Sequence, residues 1–140
     1  MKAIRIPRTL ALIAGAAVVT AVAATAQAGN PAGKYCGELL SSGVTSEVET
    51  SFQLNGASSA ITGYYVFAEQ GRPVEGMLAE GEDDGDSNDL TRTFIWRDKY
   101  GYGTLNVTFT PDFSEFAGQW SFSGSEGAPW NGRRCGLVTS

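Results

Sequence analysis

The chain has 140 residues, with 10 basic and 15 acidic side chains, two cysteines and no histidine. A formal net charge of −5 argues against nucleic acid or an anionic membrane surface as a partner. The lack of histidine excludes Ser-His-Asp and Cys-His catalysis.

Residues 1–28 read as a cleaved secretory signal peptide. Lys2, Arg5 and Arg8 supply a positive start, residues 10–24 form an apolar run broken only by Gly15 and Thr20, and Ala26-Gln27-Ala28 fits the small-x-small cleavage rule. A membrane anchor is the rival reading, but a span needs ~20 apolar residues, more than this run offers. Cleavage leaves residues 29–140 as one domain of an exported protein, in the bacterial periplasm or outside the cell. It also removes three of the ten basic residues, so seven stand against fifteen acidic ones, a net charge of −8.

From residue 33 onward the chain reads as short strands punctuated by turns, with no amphipathic helix. Strand 1 covers residues 34–40, with Tyr35, Gly37 and Leu39 on one face. Strand 2, near 45–54, alternates Val48, Thr50, Phe52 and Leu54 with Glu47, Glu49, Ser51 and Gln53, the signature of a half-buried antiparallel strand. Asn55-Gly56 turns into strand 3 at 60–69, which carries Ile61, Gly63 and Tyr65 on one face. Gln70-Gly71-Arg72-Pro73 turns into strand 4, with Val74, Gly76 and Leu78. An acidic loop at 80–89 precedes strand 5 at 90–97, with Leu90, Arg92, Phe94 and Trp96 on one face. Asp98-Lys99-Tyr100-Gly101 turns into strand 6 at 103–110, which points Leu105, Val107 and Phe109 inward. Strands 7 and 8, at 116–123 and 130–137, carry Phe116-x-Gly118-x-Trp120 and Trp130-x-Gly132-x-Arg134.

Eight consecutive strands with tight connections predict an all-β, eight-stranded antiparallel up-and-down barrel, because closure removes the two exposed edges of a flat sheet. A two-sheet sandwich is the alternative. Cys36 on strand 1 and Cys135 on strand 8 both lie on the faces opposite the inward rows. Strands 1 and 8 are neighbours in a closed barrel, so the two cysteines predict a disulfide across that seam. A membrane-spanning barrel would need an apolar outer band, whereas the outward positions here include Glu47, Thr91, Thr93, Arg97, Asn106 and Gln119. No membrane insertion of residues 29–140 is expected.

Candidate chemistry is sparse, and no cofactor is expected. Arg92 and Arg134 are the charged residues on the inferred inner face, among Tyr35, Tyr65, Trp120 and Trp130. They could anchor an anionic ligand in the barrel. Alternatively, each guanidinium could stack on Trp120 or Trp130 as a structural cap. Asp84, Asp86 and Asn88 have the spacing of the first ligands of a calcium loop. Asp89 stands where that loop needs glycine and Ile95 where it needs glutamate, so an EF-hand is excluded; a looser calcium site and a solvated acidic loop remain. A carboxylate-based hydrolase would have to draw its pair from loops, since the inward positions named above hold no Asp or Glu. Two functions follow. One is a non-enzymatic carrier of a small apolar or anionic molecule. The other is an interaction protein with a filled barrel and a secreted or envelope protein as partner.

The Phe116-x-Gly118-x-Trp120 and Trp130-x-Gly132-x-Arg134 hairpin, with the preceding strands at 90–94 and 103–109, resembles small secreted bacterial β-domains of uncharacterised function. Arg92 replaces the glycine that pattern carries in strand 5. The resemblance implies a fold and no activity. A looser likeness to lipocalin-type and avidin-type barrels extends to barrel physics alone, because Gly118-x-Trp120 lies on strand 7 rather than on the first strand.

Overall fold

The computed structural model describes residues 29–56, 60–81, 90–122 and 124–136. Residues 1–28, expected as a signal peptide, and the Asp84, Asp86 and Asn88 cluster lie outside the described residues. Eight strands run in sequence: β1 (Gly33–Ser41), β2 (Val44–Leu54), β3 (Ile61–Glu69), β4 (Arg72–Glu80), β5 (Thr91–Asp98), β6 (Gly101–Phe109), β7 (Glu115–Ser121) and β8 (Ala128–Arg134). Each pairs antiparallel with the next, and β8 returns to β1 to close the barrel. Among the described residues no helix is long and apolar enough to cross a membrane.

Alternation determines which side chains fill the interior. Tyr35, Val48, Phe52, Tyr65, Leu78, Phe94, Leu105, Phe109, Phe116 and Trp130 are all buried, as the period-2 rows require. Four of the inward glycines have a common partner type. Gly63 pairs with Phe52, Gly76 with Tyr65, Gly103 with Trp96 and Gly132 with Phe116 across adjacent strands. At each of these positions an added Cβ would meet the partner's ring within 3.4 Å. The repeated aromatic-x-Gly spacing is thus a cross-strand device: each ring lies over the glycine beside it and covers its bare backbone. At the closing seam Gly37 faces Gly132, and a Cβ on Gly37 would sit 1.8 Å from the Asn131 carbonyl oxygen. The backbones approach there too closely for any other residue.

The disulfide joins Cys36 and Cys135, which are 99 residues apart, across the β1–β8 seam. β8 ends at Arg134, earlier than its sequence pattern predicts, so Cys135 occupies the following turn. Its N–H still donates to the Lys34 carbonyl at 3.0 Å, which holds the sulfur beside β1. Two positions at strand ends depart from the alternation. Leu54 and Phe122 continue inward rows by parity but are 42% and 41% exposed, because both lie where the wall ends.

The two ends of the barrel differ. At one end, three of the four hairpins are two-residue turns: Ser42-Gly43, Gln70-Gly71 and Lys99-Tyr100. The first two have φ near +52° and +78° at their central residues, the paired left-handed geometry that matches strand twist. Such short rims leave the mouth uncovered. The other end carries the longer connections, and there Pro31 and Phe113 are buried over the core.

Candidate functional site

The closed end is built on Arg134. Its Nε donates to the Phe113 carbonyl at 2.8 Å, Nη1 to Ala32 at 2.6 Å and Nη2 to Asn30 at 2.9 Å. The guanidinium lies over Tyr35, 4.8 Å from the ring centroid. Its stacking partner is therefore Tyr35, and neither Trp120 nor Trp130, which belong to the opposite half of the barrel. The Tyr35 hydroxyl shares its proton between the Pro31 and Phe113 carbonyls. Burial pushes this phenol up to about 12, opposed by the charge of Arg134 and aided slightly by Asp112. Beneath it Tyr35, Phe52, Phe109 and Phe116 contact one another edge to face or tilted, at 5.4–5.9 Å between centroids, and fill this half of the interior.

Arg92 lies at the same end. Its Nη1 donates to Glu80 Oε2 at 2.7 Å, with both side chains less than one-fifth exposed. Glu80 Oε1 also accepts from the Ile61 N–H at 2.7 Å. Glu80 continues the inward row of β4, so the inner face does contain carboxylates. They occupy strand ends, beyond the positions from which the pattern was read.

The open end is an aromatic cup of about 250 Å³. Trp130 and Tyr65 form its floor, edge to face at 4.7 Å. Trp96 and Trp120 form one wall, meeting at 83° with centroids 5.6 Å apart, and Phe122 and Tyr100 reach the rim. The sequence reading grouped Tyr65, Trp120 and Trp130 with Arg92, Arg134 and Tyr35. The structure brings the first three together and places the last three at the opposite end of the barrel.

Two carboxylates line the cup. Asp98 and Glu69 end the inward rows of β5 and β3. The Tyr65 hydroxyl donates to Asp98 Oδ2 at 2.7 Å, and Asp98 Oδ1 accepts the Tyr100 N–H at 2.8 Å. The Tyr100 hydroxyl donates to Glu69 Oε1. Burial, then the hydrogen bond to Asp98 and its negative charge, raise the Tyr65 phenol well above its ordinary range. Sequence reading missed Asp98, Glu69 and Tyr100 because polar residues beside a turn read as turn chemistry. Strand parity, extended to the last residue of each strand, would have found the two acids.

A broader concavity of about 1370 Å³ lies on the outer surface, running from β6 and β7 across β8, β1 and β2 to β3 and the start of β4. It is the open saddle of a strongly coiled sheet and encloses nothing. Cys36, Cys135 and Glu49 lie close enough together to suggest a metal site, but the two sulfurs are bonded to each other and offer no thiolate.

No family model matches the chain, and no curated protein matches it.

Proposed function

We propose that this chain is an exported, non-enzymatic binding module that receives a small molecule in the open cup of its barrel. The observation that carries the reading is the asymmetry of the interior: packed rings and the segment at residues 30–32 fill one end, while a cavity of about 250 Å³ opens at the other. That volume lies just below the ~300–1,000 Å³ of drug-sized sites, so the ligand is small. The disulfide and the signal-like N-terminus support an oxidising, exported setting. The absence of histidine from the sequence and the pairing of both cysteines favour binding over nucleophilic catalysis. Native mass spectrometry of protein purified from its own host tests the reading. An added mass that Trp120→Ala abolishes supports it; a bare chain that takes up no small molecule counts against it.

A second reading rests on the outer wall. Tyr64, Met77, Arg97 and Tyr102 are register neighbours across β3 to β6, and the first, second and fourth are 41%, 68% and 63% exposed. The Arg97 guanidinium lies over the Tyr102 ring at 5.4 Å. An aromatic and methionine stripe of this kind suits a secreted or envelope protein partner. Cross-linking from Tyr102 in intact cells, with a captured protein lost in Met77→Glu, would favour it.

A further inference from the structure

Seven of the twelve residues lining the cup are aromatic, two are carboxylates and none is lysine or arginine. Such a surface offers negative ring faces and negative oxygens.

The ring donors of the lining are already committed, which leaves the hydroxyls of Ser41 and Ser42 as its other side-chain donors. The indole N–H groups of Trp96, Trp120 and Trp130 donate to Ser121 O, Leu40 O and Thr50 Oγ1 at 3.1, 2.9 and 3.0 Å. The phenols of Tyr65 and Tyr100 donate to Asp98 and Glu69. What these groups still present to a guest is acceptor lone pairs and ring faces. An anion or a sugar needs several donors from its site, more than two serine hydroxyls supply, so both fit poorly. A guest that brings its own positive charge needs none. The ring geometry agrees. Trp96 and Trp120 stand at 83°, and Tyr65 and Trp130 at 72°, which makes corners rather than a flat platform for a sugar face. Rings meeting at corners can surround a compact charged group on several sides.

We propose that the cup binds a small organic cation, an ammonium or quaternary ammonium group held by Trp96, Trp120 and Tyr65 with Asp98 and Glu69 as counter-charges. The proposal rests on the cup being the binding site and adds the class of ligand. Lys99 bears on it too: its ammonium lies 5.0 Å from the centroid of the Tyr100 ring at the rim. The protein's own cation thus already uses one face of the aromatic lining, and Lys99→Ala is expected to tighten binding of a cationic guest.

Isothermal titration calorimetry of the purified protein with three probes tests the proposal: choline, its uncharged carbon isostere neohexyl alcohol, and isovalerate. Choline is expected to bind about tenfold or more tighter than the alcohol, and isovalerate not at all, since the preference comes from cation–π and charge-assisted contacts. Asp98→Asn loses the charge and keeps one of the two acceptor oxygens, which can still serve Tyr65. It should weaken choline about five- to tenfold and leave the alcohol unchanged. Circular dichroism would verify that the variant is folded. Equal binding of choline and alcohol, or tighter binding of isovalerate, overturns the cationic ligand but leaves the cup as a binding site. Choline binding that survives both Asp98→Asn and Trp120→Ala also overturns it, because the charge would then be met elsewhere. If none of the three probes binds, the cup reading falls together with the proposal.

Discussion

Arg134 commits its guanidinium to three carbonyls of the chain itself and to the face of Tyr35. Arg134→Leu removes those donors and leaves the Phe113 and Ala32 oxygens without them, so it should cost about 2–4 kcal/mol. Arg133 points outward and meets Glu115 only at 3.8 Å, with its side chain 68% exposed. Arg133→Leu should therefore change stability by no more than ~0.5 kcal/mol. Chemical denaturation of both variants checks the pair, and a rise in midpoint for Arg134→Leu would contradict the structural role. Gly118 and Ala117 provide a second contrast. A Cβ on Gly118 would meet Trp130 O at 2.9 Å and Asn106 O at 3.1 Å, both backbone atoms that cannot turn aside. Gly118→Val should cost ~1–3 kcal/mol by overpacking. Ala117 is exposed, and a β-branched residue is tolerated on an open strand face. Equal midpoints would mean that the faces of β7 are reversed.

Tyr35 also sets a pH limit. Its folded pKa, about 12, stands above the ordinary value of 10.0, so the native state holds a proton that the unfolded chain releases. The stabilisation is complete below pH 10 and is lost as pH rises toward 12. Tyr65 acts in the same direction. Denaturation midpoints should fall through this alkaline window, with tyrosinate absorbance from these two rings appearing only as the structure melts. Their ionisation at ordinary tyrosine pH in a folded protein would contradict the burial described here.

At the level of the elements, alternation in the sequence was enough to identify eight strands, their inner faces and the seam. It works because the side-chain period of a strand is 2, so each aromatic-x-Gly row declares its face. The same pattern says nothing about height along the barrel axis, which depends on register and stagger between strands. Arg92, Arg134, Tyr65, Trp120 and Trp130 therefore looked like one inner-face group. In the barrel the two arginines lie at the filled end and the other three residues at the cup. Asp98 and Glu69 were hidden for a related reason: each is the last residue of its strand, where inward row and turn overlap. The β1–β8 seam makes its own prediction. The Cys36–Cys135 bridge spans 99 residues, and losing it should cost about 4–5 kcal/mol by release of loop entropy in the unfolded chain. Reduction should lower the denaturation midpoint sharply, and the denatured, unreduced protein should show no free thiol.

The molecule as a whole is a barrel plugged at one end and open at the other, with polar outward positions such as Glu47, Thr93, Asn106 and Gln119. The plug follows from longer connections and from residues 30–32, bound by Arg134. The opening follows from three two-residue turns. We propose the cup as the site because its aromatic walls and carboxylates meet around space, whereas at the other end Arg92 pairs with Glu80 and Arg134 is bound to backbone carbonyls. The most direct test is an NMR titration of the purified protein with choline, following the three indole N–H resonances and the Arg92 and Arg134 Nε–H resonances together. The cup predicts that the Trp96 and Trp120 indole signals shift while both arginine signals stay fixed. Shifts at Arg92 and Arg134 with unmoved indoles, or no shift at any of the five, would contradict it.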